Sequence, residues 1–284
     1  MTTQTAQPGS AAPASAPRNS TLVPPATDRF DHVLRAEWTK FWSVRSTMWT
    51  FVSLVIVTIG ISALLCLAVA ANWKDIKPAD RAAIEPVSQS LSGIFLGQVA
   101  IIVLGALTIS SEYSTGGIRT TLTAVPQRLR LLGAKALVLA VIAFAAGLVT
   151  MFPSFLLGQW VLSTAHAGIE KSLGDPGVLR AVVGGALYVA ACGLLGFALG
   201  GLLRHTAGAI TSAIGIVFIL PIVGNFLPGT WGDNVSKVLS AGGSIMNARP
   251  IPGQLEAWTG YAVFSLWWIV LLALAGVLIR RRDA

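Results

Sequence analysis

The sequence predicts an all-α integral membrane protein with six transmembrane helices, and three observations carry that prediction. Charged residues make up only 11% of the 284 residues, hydrophobic ones 54%, and the mean hydropathy is +0.71. A soluble domain of similar length carries about 25% charged residues. The charges are also unevenly spread, absent from long blocks and gathered between them. Six of these blocks reach the roughly 20 residues that a helix rising about 1.5 Å per residue needs to cross about 30 Å of hydrocarbon.

The six blocks are Met48–Ala70, Leu91–Ile109, Ala136–Trp160, Val182–Leu203, Ala207–Leu227 and Trp258–Ile279, and none contains Asp, Glu, Lys, Arg or His. Trp49 and Trp73 bracket the first, Trp160 closes the third and Trp258 opens the sixth, the placement of interfacial aromatics. Trp267 and Trp268 lie deep in the sixth, where packing or a lipid-facing surface accounts for them. Pro153 and Pro221 predict kinks in the third and fifth. Gly193, Gly196 and Gly200 share one face of the fourth. They read as close packing within the chain, with dimerisation as the other reading.

Residues 1–27 are rich in Ala, Pro, Ser and Thr and carry one charge, Arg18. They lack the apolar core of a cleaved signal peptide and predict a disordered tail ahead of a transmembrane domain over residues 28–284. The net charge of +8 sits in loops beside apolar spans, so it reads as membrane topology rather than as a nucleic-acid site. Of the 20 Lys and Arg, 13 fall on the side that holds both termini and 7 on the other. That imbalance predicts cytoplasmic termini. Cys66 and Cys192 both fall inside apolar blocks at no metal or redox spacing and read as small buried hydrophobes.

The uncharged blocks bear on function. An ionisable side chain at the centre of a bilayer costs about 2.5–3.5 kcal/mol on insertion scales, and membrane proteins keep one mainly for use. Proton-coupled transport, intramembrane proteolysis and charged-ring channels all need such groups. Here the blocks hold only neutral polar side chains, among them Gln98, Thr108, Thr150, Ser154, Gln159, Thr211 and Asn225. An intramembrane enzyme would lack its acid, base or metal ligand, and energy for transport would come from outside the membrane. No GxxxxGK[ST] phosphate loop occurs, so ATP hydrolysis by that route is not expected on this chain.

Two charged segments stand out. In Asp28–Arg45, Phe30, Val33, Leu34, Trp38, Phe41, Trp42 and Val44 fall on one helical face, as in a helix lying in the headgroup layer. Glu37 falls within that face. It pairs either locally with Lys40 or with a basic residue of the next loop on the same side. That loop, Ser110–Ala134, begins with Glu112 and Tyr113, breaks at Gly116–Gly117, and allows a short helix over Ile118–Ala124 displaying Arg119 and Leu122. Pro126 suits the first turn of the following helix, which carries Arg128 and Arg130. An ordinary positive-inside loop is the simpler reading of the same residues.

The segments EWTKFWSVRST (Glu37–Thr47) and EYSTGGIRTTLTAVPQRLRLLGAK (Glu112–Lys135) resemble the permease subunits of ABC-2 type transporters, those of high-GC Gram-positive bacteria above all. The C-terminal RRRDA is similar to a familiar ending there, and Gly117 departs from the usual EYxxGT pattern. The resemblance implies an interfacial elbow helix containing Glu37, Trp38 and Lys40. It also implies a cytoplasmic coupling helix at Ile118–Ala124, docked on a nucleotide-binding subunit, and short re-entrant helices within Pro228–Ala257. The ATPase-coupling loop would include Glu112, Tyr113, Gly116, Ile118, Arg119 and Leu122. The implied function is export of an apolar or amphiphilic compound across a bacterial plasma membrane. ATP and Mg would sit on a separate ABC ATPase, with the permease as a homo- or heterodimer and no catalytic, cofactor or metal site on this chain. The alternative is a polytopic membrane scaffold or immunity protein that transports nothing.

Overall fold

Each of the six apolar blocks is helical in the computed structural model, which describes residues 30–43, 45–117, 127–164 and 168–281. The segment read as a tail, residues 1–27, and the expected coupling helix at Ile118–Ala124 lie outside the described residues. The helices are α1 (Phe30–Ser43), α2 (Arg45–Ala71), α3 (Pro78–Ala83), α4 (Pro86–Leu91), α5 (Ile94–Ser114), α6 (Arg128–Ser163) and α7 (Val178–Leu203). They continue with α8 (Thr206–Ile214), α9 (Leu220–Gly224), α10 (Gly229–Leu239) and α11 (Ala257–Arg281). A π-helical turn, Gly215–Ile219, joins α8 to α9 just before Pro221, whose missing N–H already interrupts the α-helical ladder. Pro153 stands inside α6, which runs through it.

Among the described residues, six helical segments are long and apolar enough to cross a membrane: α2, α5, α6, α7, the composite α8–α9 and α11. A helix satisfies its own backbone hydrogen bonds, the condition hydrocarbon imposes on any spanning segment. The chain thus has the architecture of a multi-pass membrane protein. Several spans extend past the apolar blocks, α6 most of all, since it starts at Arg128 rather than Ala136. Apolar blocks end where charge begins, but Arg and Lys are good helix formers and carry the helix onward. The second span starts later than its block, because Leu91 belongs to α4, whose N-cap Glu85 accepts a hydrogen bond from the Ser88 amide.

Helix α7 is the centre of the bundle. Of its most apolar stretch 89% is buried, against 22% for α2, α8–α9 and α11, and it packs on α5, α6 and α11. The glycines make that possible. A Cβ on Gly105 of α5 would lie 2.0 Å from the Gly193 carbonyl oxygen, and one on Gly196 would lie 2.3 Å from the Ile102 carbonyl oxygen. The small-residue face of the fourth span therefore serves packing inside the chain, as small residues do where helices meet in lipid.

The connection between the fifth and sixth spans carries structure of its own. Val235–Leu239 forms the end of α10, and a 3-10 turn, Ala241–Met246, follows. This turn is tucked between α7 and α11: Ile245 is fully buried against Gly184, and Gly242 lies against the rings of Tyr188 and Phe264.

Gly196→Leu is expected to push α5 from α7 and lower the thermal melting temperature of the detergent-purified chain, an overpacking cost of about 1–3 kcal/mol. Gly60→Ala, which meets nothing within 4 Å, is the control and should melt at or above wild type.

Candidate functional site

The charged residues that the sequence places at span edges meet at one end of the bundle. Helix α1 ends at Ser43 and α2 begins at Arg45, so the two are nearly continuous, yet α1 packs on α6 as well as on α2. Its inward stripe is Val33, Glu37 and Phe41, at helical i, i+4, i+8 spacing. Phe30, Trp38 and Trp42, expected on the same face, stay exposed, and the two indoles lie 6.1 Å apart. The apolar face is thus divided: its middle row faces protein, while its flanking aromatics face outward.

Glu37 pairs with α6 rather than with its own helix. The Lys135 Nζ donates to Glu37 Oε2 at 2.7 Å and to Glu112 Oε1 at 2.6 Å. Lys40 reaches across to the same Glu112 oxygen. One ammonium therefore joins α1, α5 and α6. The Lys135 side chain is 2% exposed, those of Glu112 and Glu37 are 6% and 10%, and that of Lys40 is 51%. Charges removed from water are retained only when paired and hydrogen-bonded, so the three buried members depend on one another.

Further ties run through the same end. The Arg204 guanidinium, at the left-handed C-cap of α7 (φ 54°), stacks 4.8 Å from the centre of the Tyr113 ring. Ser110 and Thr206 share a hydrogen bond at 2.8 Å between α5 and α8, and Arg128 donates to the Ile279 carbonyl at 2.9 Å between α6 and α11. Helix α5 ends at Ser114, and Gly116 takes φ 69°, a left-handed conformation suited to glycine just past a helix.

No family model and no curated protein matches the chain.

Of the residues singled out in the sequence, the structure brings together Glu37, Lys40 and Glu112, with Tyr113 on the next position of α5. Trp38 is on α1 but turned outward, and Gly116 follows α5 without joining the cluster. Ile118, Arg119 and Leu122 lie outside the described residues. Lys135 and Arg204 are the functional candidates that sequence reasoning passed over as ordinary loop cations. For Lys135 a signal existed: Leu131, Leu132, Val138 and Leu139 occupy its i±3 and i±4 positions, so a helix through it has an apolar face around the ammonium.

The opposite end has a neutral counterpart. Gln159 Nε2 donates to the Pro86 carbonyl at 2.9 Å and to Ser90 Oγ at 2.8 Å, while Ser154 Oγ donates to the Ser90 carbonyl at 2.8 Å. These bonds hold the short helix α4 against α6, with Gly158 leaving room for Ser90.

Lys135→Met should strand the buried Glu37, leave Glu112 with Lys40 alone, and cost about 3–5 kcal/mol of stability. Glu37→Gln added to Lys135→Met should recover part of it. Lys40→Met should cost clearly less, because Lys40 itself is half in solvent and Glu112 keeps Lys135. Thermal unfolding of the detergent-purified variants checks all three.

Proposed function

We propose that this chain is the membrane-spanning permease subunit of an ABC-2 type transporter, moving an apolar or amphiphilic compound outward with ATP hydrolysed on a separate subunit. The observation that carries this reading is the Lys135 cluster. It joins α1 to α5 and α6, the two helices on either side of residues 118–126. In an ATP-driven transporter, a push on that loop from a nucleotide-binding subunit has to reach the spans. A buried ion cluster at the loop's base makes the pre-span helix and both flanking helices move as one body.

On this reading α1 is the elbow helix, and residues Ile118–Ala124 dock on the ATPase through Arg119 and Leu122. Six spans amount to half of a transporter, so two permease chains, alike or sister chains, work with two ATPase subunits that hold ATP and Mg. The side bearing α1, residues 118–126 and Arg281 is cytoplasmic in a bacterial plasma membrane, in line with its excess of Lys and Arg. The uncharged apolar blocks of the spans suit a drug, lipid or natural product as cargo.

A tagged chain extracted in mild detergent from its host membrane should bring down an ABC ATPase with measurable ATP hydrolysis. The pair Arg119→Glu and Leu122→Asp should abolish that association while leaving the melting temperature of the permease unchanged. A chain that elutes alone, with the double variant indistinguishable from wild type, would point instead to a scaffold or immunity protein.

A further inference from the structure

We propose that the seam between the start of α6 and the end of α11 binds one anionic phospholipid, its phosphate among three arginines and an acyl chain in the groove below them. Arg128 and Arg130 of the first turn of α6 and Arg280 of the last turn of α11 line a pocket of about 420 Å³, together with Gln127 and Leu129. Leu129 and Arg280 also border a hollow of about 390 Å³ that follows the same seam between Leu132 of α6 and Trp268, Leu272 and Gly276 of α11. Pocket and groove therefore adjoin.

The pocket selects for negative charge. Among the described residues the charged side chains that line it are all cations, and neither Arg130 nor Arg280 has an ion-pair partner. Arg128 donates to the Ile279 carbonyl at 2.9 Å, which ties the two helix ends together and takes up an acceptor at the negative end of the α11 dipole. The leading amides of α6 have no earlier helical carbonyl to meet, so the positive end of its dipole lies at the same place. A lipid phosphate accepts from several guanidiniums at once, and basic pockets between helix ends at a membrane surface suit anionic headgroups. Phosphatidylcholine carries the same phosphate but adds a trimethylammonium, which the arginines repel.

The groove has the depth of one leaflet. From Arg280 back to Trp268 it follows α11 for about 18 Å at 1.5 Å per residue, against about 15 Å for half of a 30 Å hydrocarbon layer. The buried Gly276 lies at its floor, where a Cβ would come 3.3 Å from a Leu129 methyl carbon. Leu129, Ile269 and Val277 on its rims are each close to half exposed, and below Arg280 none of the described lining residues is charged. Trp268, too deep in its span for the interfacial belt, lines the far end. A cationic mouth above an apolar groove one leaflet deep fits a lipid better than a soluble anion. The inference needs a chain that spans a bilayer and holds whether or not that chain transports anything.

Native mass spectrometry of the full chain in neutral detergent, titrated with dioleoyl phosphatidylglycerol and with dioleoyl phosphatidylcholine, tests it. Phosphatidylglycerol should bind about tenfold more tightly. Arg130→Gln with Arg280→Gln should bring the two lipids to within about twofold of each other. Arg35→Gln with Arg45→Gln removes equal charge elsewhere on the same side and should keep the preference. Equal affinities in wild type, a preference that survives the first pair, or one lost equally with the second would overturn the proposal. Ala273→Trp, at an exposed position lining the groove, should fill it and weaken phosphatidylglycerol binding about tenfold with all three arginines in place. Wild-type affinity in that variant, or competition by free glycerol phosphate at the lipid's own concentration, would mark a site for a soluble anion and sink the lipid reading. Light scattering covers the other occupant: a wild-type dimer that Ala273→Trp turns into a monomer would assign the seam to a second copy of the chain instead.

Discussion

Helices α5 and α7 meet backbone to backbone because Gly105, Gly193, Gly196 and Gly200 carry no Cβ to hold them apart. In hydrocarbon the lipid tails are as apolar as Leu, so burial of apolar side chains drives helices together far less than it does in water. Close van der Waals contact takes over that role, and it needs small residues. Once α7 is held against α5 it can be surrounded, with α6 and α11 on further faces and the Ala241–Met246 turn filling the gap towards α11. The peripheral spans then expose their remaining faces, as α2 does with Trp49, Ile56 and Leu64.

Upon this apolar frame the polar contacts sit at three levels. Lys135, Glu37, Glu112 and Lys40 lie at one end, and Gln159, Ser154 and Ser90 at the other. Between them Tyr188 donates to Gln98 Oε1 at 2.6 Å. Only the first level is ionic. Charges belong at an end, where water reaches one member, and Lys40 is that member. The middle level is neutral and fully buried, so its groups are hydrogen-bonded to one another and Gln98 also donates to its own helix at Phe95. The ionic level ties α1, α5 and α6 together at the end where α5 stops at Ser114 and α6 starts at Arg128.

The span pattern was legible because a bilayer imposes a one-dimensional rule: about 20 residues without charge. All six blocks are helical, with edges shifted where Arg or Lys continues a helix, as at Arg128. The small-residue face on α7 was also legible, since spacing alone puts Gly193, Gly196 and Gly200 on one side. Lys135 was harder to see. Counting it as one more basic loop residue served the topology argument, and its burial depends on two carboxylates 23 and 98 positions away in the chain.

The sequence by itself determined the apolar character of the chain, the number of spans long enough to cross a bilayer and the presence of a charged amphipathic segment before the first of them. Each of these follows from local composition and from a helical period read within one segment. Tertiary structure alone decided which partner Glu37 takes, and that Arg128 and Arg130 of α6 share a pocket with Arg280 of α11. These depend on how far each helix is rotated about its axis and on which helices become neighbours. A turn of tens of degrees moves a side chain from one partner to another without changing hydropathy at any position.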